Sequence, residues 1–218
     1  MVNGEEKLAD ARREMVRSQL RARGIVNEQL LAAFQSTPRD RFVPADKVPQ
    51  AYGDHPVPIG YGQTISQPLV VAMMIQELAP KRSHRILDVG AGSGYQTAIL
   101  AALVKHVYAV ERIAELSERA VAVMASINVS NVTLQTCDGS MGWPEEAPFD
   151  GVICGAGAPE VPVGWIDQLV DGGRIVMPIG ATDDQSLVVV EKQGRRTTRR
   201  EVCKVRFVKL IGQESWPA

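Results

Sequence analysis

Positions 85 to 96 constrain the fold more than any other stretch of this chain. Ile86, Leu87 and Val89 form the short apolar run of a buried strand, Gly90, Gly92 and Gly94 interrupt it, and residues 97–104 then read as a helix. The order is strand, tight turn, helix start. Glycine lets the backbone turn sharply and lets a ligand come close to it, while the unpaired N–H groups that open a helix attract an anionic group. A dinucleotide fingerprint G-x-G-x-x-G beginning at Gly90 needs glycine at position 95, where Tyr95 stands. The spacing is instead G-x-G-x-G, with Asp88 just before it. Taken alone, it also fits a strand-to-helix turn that holds no ligand.

With 218 residues and 45% hydrophobic content, the chain can bury a real core. One domain is expected, with N-terminal helices and a substrate loop over 1–80, a cofactor-binding α/β core over 81–178 and C-terminal strands over 179–218. A formal net charge of −1 gives no general attraction to polyanions, so nucleic acid is not an expected partner. Cys137, Cys154 and Cys203 are far apart and odd in number, which argues for reduced thiols rather than a disulfide framework. Residues 1–7 have no apolar core like that of a secretion signal, and the run 98–104 is too short to cross a bilayer. A soluble, cytoplasmic protein with no membrane partner is the expectation.

Along the chain, Leu8, Ala11, Met15, Val16 and Leu20 fall near one face of a helix over 5–23, with Gly24 as its stop. Asn27 can cap a second helix over 28–35. From Phe42 to Pro68 no periodicity is sustained, yet Tyr52, Val57, Ile59, Tyr61 and Ile65 supply apolar anchors that a linker lacks, so the segment reads as a functional loop. Pro68 opens a helix that runs through Leu78. Further strands are expected at 107–111, 132–136, 149–154 and 174–177, with helices at 114–127 and 162–170, the last ended by Gly172 and Gly173. This alternation predicts a doubly wound, mostly parallel sheet with helices on both faces. The runs 186–192 and 202–210 have a turn at Gly194 and no helix between them, so they read as an antiparallel strand pair at one edge.

In an open α/β sheet, ligands sit outside the carboxyl ends of the strands, where strand order switches. Asp88, Glu111 and Asp138 all fall at such ends. An acid about 20 residues after the turn can accept hydrogen bonds from ribose hydroxyls, which suits Glu111, and Asp138 can accept from an adenine amino group. Glu111 by itself does not choose between cofactors, because NAD sites use the same acid. The glycine spacing, with Asp88, resembles the cofactor loop of class I S-adenosylmethionine-dependent methyltransferases. Nothing like Asn-Pro-Pro-Tyr follows the fourth strand, no Pro-Cys pair occurs, and no paired histidine and carboxylate suggests a general base. A carboxylate acceptor needs none, since a reference pKa of about 4 leaves it ionised at neutral pH.

Arg41-Phe42-Val43-Pro44, Ala51-Tyr52 and the run Pro58-Ile59-Gly60-Tyr61-Gly62-Gln63-Thr64-Ile65-Ser66-Gln67-Pro68 resemble the signature of the protein-L-isoaspartate O-methyltransferase family. Tyr95-Gln96, Asp138-Gly139, Ala147-Pro148-Phe149-Asp150, Gln168-Leu169, Gly172-Gly173 and Val205-Arg206-Phe207-Val208 continue the pattern in register over nearly the whole chain. The resemblance implies a Rossmann-like α/β fold with an N-terminal helical extension. It implies methyl transfer from S-adenosyl-L-methionine to the free carboxylate of L-isoaspartyl residues in damaged proteins and peptides, with S-adenosyl-L-homocysteine as product. The ester then collapses to a succinimide that can reopen as normal aspartate. Expected cofactor contacts are Asp88, Gly90, Gly92, Gly94, Glu111, Asp138 and Gly139. Expected substrate contacts are Ile59, Thr64, Ile65 and Ser66, with Ser66 as the family's active-site serine. A monomer is expected.

Ser66 also reads as the N-cap of the helix that Pro68 opens, and the two roles are compatible. Two positions depart from the family pattern: Cys137 precedes Asp138-Gly139 where glycine is usual, and Gly155-Ala156-Gly157-Ala158-Pro159 replaces an alanine-rich stretch. His55, His84 and His106 share no metal-ligand spacing, so no metal is expected. Arg195, Arg196, Arg199 and Arg200 read as charges that protect a sheet edge from pairing with other chains. A methyltransferase for a small molecule or RNA, and a non-catalytic nucleotide-sensing module, remain open readings.

Overall fold

The computed structural model describes residues 4–217, so Met1, Val2 and Asn3, part of the stretch read above for a secretion signal, lie outside the described residues. Helix α1 (Gly4–Glu14) runs into a wider π-helical stretch, Met15–Leu20, and a 3-10 turn, Arg21–Arg23, which Gly24 ends at φ 93°. One uniform helix was the expectation. Met15 and Val16 are adjacent and both buried. A regular helix would point them about 100° apart, and the wider turn lets both face the core. Helix α2 (Glu28–Ser36) starts where expected, with Asn27 Oδ1 accepting from the Leu30 N–H at 3.0 Å.

The segment between Phe42 and Pro68 has more order than its composition suggests. It contains a 3-10 turn, Ala45–Gln50, and an antiparallel hairpin of β1 (Val57–Gly60) and β2 (Gln63–Ile65). Gly60, Tyr61 and Gly62 turn it with φ of 97°, 55° and 70°. Tyr52, Val57, Ile59 and Ile65 are buried anchors, but Tyr61 is 53% exposed. Its place at the hairpin tip takes it out of the set of core anchors.

Helix α3 (Pro68–Leu78), β3 (Arg85–Val89), α4 (Tyr95–Ala101), β4 (His106–Glu111), α5 (Ala114–Ser126), β5 (Val132–Thr136) and β6 (Phe149–Cys154) follow the expected alternation. Helix α6 is only Val163–Asp167, because β7 (Leu169–Ala181) already pairs with Phe149 at Leu169. The pairing then skips from Phe149↔Leu169 to Gly151↔Arg174, so Gly172 and Gly173 sit in a wide bulge rather than at a helix end. Strand β8 (Asp184–Gln193) turns at Gly194 into β9 (Arg196–Val205). The last strand was expected later, over 202–210. A short turn after Gln193 forces pairing to begin at Arg196, and the exposed arginines then occupy the edge strand itself.

The seven strands lie in the order β5-β4-β3-β6-β7-β8-β9, parallel from β5 to β7 and antiparallel from β7 to β9. Strand order reverses between β3 and β6. Alternate residues fill the two faces: Ile86, Ile153, Val176 and Leu187 on one, Leu87, Val152, Ile175 and Val188 with Trp165 on the other. The chain is thus an α/β fold, with a doubly wound, mostly parallel sheet, an N-terminal helical extension and an antiparallel C-terminal pair.

The Asn27 cap satisfies one of the free N–H groups at the start of α2. Asn27→Ala should lower the unfolding free energy by about 1 kcal/mol, measured by denaturant titration. An unchanged midpoint would mean that water replaces the cap without loss.

Candidate functional site

The reversal between β3 and β6 opens a crevice at the carboxyl ends of the strands, and the glycine turn lies over it. Gly90, Gly92 and Gly94 adopt φ of 76°, 56° and 84°, which side chains resist. At Gly94 space is also short, since a Cβ would lie 3.0 Å from Ala120 Cβ on α5. The turn is pinned to β4, where Gly90 N and Ala91 N both donate to Val110 O, at 2.9 and 3.1 Å. Glu111 adds a second clamp: its Oε2 accepts from Gly92 N at 2.8 Å and its Oε1 from Ile113 N at 2.9 Å.

Asp88 lies beneath the turn with no exposure. Its Oδ1 accepts from Gln96 Nε2 at 2.8 Å and its Oδ2 from Thr97 Oγ1 at 2.6 Å. Burial pushes its carboxyl up to about 6, against the pull of those two bonds and with the Glu111 charge adding to the rise. Asp138 stands apart from these two. Burial raises its carboxyl, but the Gln213 and Ser140 N–H groups, at 2.7 and 2.9 Å, outweigh that and hold it below its ordinary value. Gly139 packs against the sheet: a Cβ there would come within 2.7 Å of Val89 Cγ1.

The hairpin forms the other wall. Thr64 is exposed and Ser66 half-buried, while Ile59 and Ile65 are core residues. The Ile59 side chain reaches the glycine turn, its Cδ1 3.6 Å from where a Cβ on Gly92 would stand, and its carbonyl accepts from Arg119 Nη1 at 3.1 Å. Ser66 is not a helix cap; Gln67 holds the N-cap position of α3, with no side-chain cap. Thr64 and Ser66 share a cavity of about 40 Å³ with Gly90, Gly92, Gln96 and Gly155, room for one small group. Outside it, a groove of about 970 Å³ runs between Gly62, Thr64 and Ser66 and the segment from Lys204 to Lys209.

Two features escaped the sequence reading. Val208, Lys209, Leu210 and Ile211 form one wall of the crevice that Gly90, Glu111 and Gly139 line. This segment leaves the sheet after Val205 and bridges to Gly157 at Lys209. The Val205-Arg206-Phe207-Val208 motif was its signal, but the apolar run was read as strand. Arg39 is the second, fully buried between Ala51 and Ser66. Its charged neighbours Asp40 and Arg41 give no sign in the sequence that it is buried. Among the described residues, no group of three or more His, Cys, Asp or Glu side chains is arranged to hold a metal. Burial raises the Cys137 thiol above its ordinary value, and the nearby Asp138 and Glu145 charges add to this. On β9, Arg199 pairs with Glu160 at 3.4 Å and Arg200 pairs with Glu77.

A family model described as protein-L-isoaspartate(D-aspartate) O-methyltransferase matches residues 11–215. A Marinobacter nauticus protein named protein-L-isoaspartate O-methyltransferase 2 is 45% identical over 97% of this chain and 98% of its own length. A Desulfosudis oleivorans protein named protein-L-isoaspartate O-methyltransferase is 46% identical over 99% of this chain and 98% of its own. A solved structure with that same description superposes with a TM-score of 0.83 at 26% identity, over 92% of this chain and 66% of that one. A Plasmodium falciparum protein solved with S-adenosyl-L-homocysteine shares the fold, with a TM-score of 0.80 at 24% identity over 92% of this chain and 98% of its own.

A carboxyl that holds its proton more tightly folded than unfolded stabilises the fold below about pH 4, and this contribution is lost as pH rises through about 6. For Asp88, the stability of the parent relative to Asp88→Asn should therefore fall by on the order of 3 kcal/mol between about pH 4 and pH 7. Paired denaturant titrations across that window check this, and a flat difference would contradict the buried-acid assignment.

Proposed function

The chain belongs to the protein-L-isoaspartate O-methyltransferase family, and from that membership we infer that it methylates the free carboxylate of L-isoaspartyl residues in damaged proteins and peptides, using S-adenosyl-L-methionine. The observation that carries this reading is the cavity shared by Thr64 and Ser66 of the family's signature segment with Gly90 and Gly92 of the glycine turn. A methyl donor on the turn and an acceptor on the hairpin would meet there. A small-molecule or RNA methyltransferase is not favoured, since the family match covers the acceptor segment as well as the cofactor turn. The stretches 1–80, 81–178 and 179–218 act together as one domain in this reading. Among the described residues, no helix is long and apolar enough to cross a membrane.

The crevice residues fit the cofactor. Gly90 and Gly92 offer bare backbone, and Glu111 uses only two of the roughly four acceptor positions of a carboxylate. Glu111 is thus able to accept from ribose hydroxyls while still clamping the turn. Gly139 leaves room over the sheet, and Asp138 stands at the adenine end, steadied by Ser140 and Gln213. Gly94 shapes the turn, and Asp88 works from below by fixing Gln96 and Thr97. Bound there, S-adenosyl-L-methionine supplies the methyl group and leaves as S-adenosyl-L-homocysteine. Thr64 and Ser66 face the acceptor, while Ile59 and Ile65 hold the hairpin by packing. The Ser66 hydroxyl orients the acceptor carboxylate, whose own oxygen attacks, so the chain needs no general base.

An assay with isoaspartyl peptide, aspartyl peptide of the same sequence and bulk RNA tests the assignment, with transfer expected only to the first. Equal rates on the two peptides would sink it. Ser66→Ala should lower turnover about 100-fold through misaiming and leave the melting temperature nearly unchanged, because Ser66 caps no helix. Full turnover would remove Ser66 from the site. Glu111→Ala should weaken S-adenosyl-L-homocysteine binding by about 1 to 3 kcal/mol in titration calorimetry, and unaltered affinity would remove Glu111 from the ribose role.

A further inference from the structure

Ser66 is held from behind by a buried cation. The Arg39 side chain has no solvent exposure. Its Nε donates to Ala51 O at 2.7 Å and its Nη2 to Ser66 O at 2.8 Å. Its guanidinium carbon lies 4.9 Å from the centroid of the Tyr95 ring, at the first residue of α4. One side chain therefore joins the loop before the hairpin, the exit of the hairpin at Ser66 and the helix that the glycine turn opens.

The charge on this side chain is poorly matched. Both of its polar partners are carbonyls, and Nη1 is buried with no partner among the described residues. Asp40, next in the chain, accepts from the Tyr52 hydroxyl instead. Arg12 is a second cation near Tyr52 and Tyr95. Burial pulls Arg39 down to about 10, with Tyr95 and Tyr52 opposing, which leaves it charged at neutral pH. At the groove mouth, Lys204 and Arg206 are exposed and paired with Asp184 and Asp183. Removing a guanidinium from water without an anion is costly unless an anion arrives during function.

We propose that Arg39 is a positioning residue for the reaction: it fixes the Ser66 backbone and supplies the positive charge toward which the acceptor carboxylate is drawn out of water. This rests on the isoaspartyl reading above, in which the acceptor is an anion and must stay ionised to attack. The Ser66 hydroxyl can orient that anion but carries no charge to offset its desolvation. Arg39 does this from within the fold and leaves the acceptor oxygens free for the methyl group. A cation in direct contact would tie them down and weaken their attack.

The test compares an isoaspartyl peptide with the same peptide in which that carboxylate is a carboxamide. Both are titrated calorimetrically into the full chain saturated with S-adenosyl-L-homocysteine. The unmutated protein should bind the carboxylate about tenfold more tightly than the amide, as expected of one charge acting through a partly polar interior. Arg39→Met should bring the two affinities together. Arg39→Lys should keep most of the preference, since the charge remains, but should turn over more slowly because lysine cannot bridge Ala51 and Ser66. A purely structural role would weaken both peptides alike and leave their ratio at the parental value, which would overturn the proposal. Equal affinities in the unmutated protein would overturn it too, and that measurement stands even if Arg39→Met does not fold. Failure of both peptides to bind the unmutated protein would count against the isoaspartyl reading itself, and this inference would fall with it.

Discussion

One carboxylate holds the catalytic end of this protein together. Glu111 ends β4, and it takes the N–H of Gly92 on one oxygen and that of Ile113 on the other. The first bond fixes the glycine turn between β3 and α4; the second fixes the start of the chain that leads into α5. Gly90 and Ala91 in this turn find the Val110 carbonyl, but the Gly92 N–H does not, and the Glu111 side chain takes it. Both clamped segments border the crevice where strand order reverses, and ligand binding in such folds occurs there. The position of Gly92, and through it of the cavity shared with Ser66, thus depends on an acid already suited to hold a ribose.

Two buried ionisable groups of opposite sign flank the site, and burial pushes each toward its neutral form. Asp88 sits under the turn, where burial pushes its carboxyl up to about 6 while the Gln96 and Thr97 donors that it helps to fix pull the other way. Arg39 sits behind the hairpin with two carbonyl partners and keeps its charge, because a guanidinium loses its proton far less readily than a carboxyl gains one. The turn side therefore holds carboxyl groups and the hairpin side a buried cation. A sulfonium on the first and a carboxylate on the second would each meet a compatible surface.

The parallel core was legible because its rule is local: the apolar runs at β3, β4 and β6 and the glycines after Val89 say strand and turn without reference to the rest of the chain. The Asn27 cap and the Pro68 helix start were legible for the same reason. What stayed hidden depended on partners distant in sequence. Leu169 and Val170 look helical until Phe149 is placed beside them, and 206–210 look like strand until Gly157 takes Lys209 as its bridge partner. Tyr61 looked like an anchor because hydrophobicity does not report a positive φ. At the crevice, spacing was enough to single out Glu111 and the glycines, while Ser66 was singled out only by the family resemblance. Arg39 could not be found from pattern, since an arginine between Pro38 and Asp40 gives no local sign that it will be sealed inside.

The segment after Val205 adds no strand to the sheet, yet it supplies a wall of the crevice and, through Gln213, one of the two N–H groups on Asp138. It also comes after every strand in chain order. The ladders of the sheet therefore do not include the residues that close the crevice. Cleavage within 206–213 would then open the crevice on one side and leave every ladder of the sheet in place.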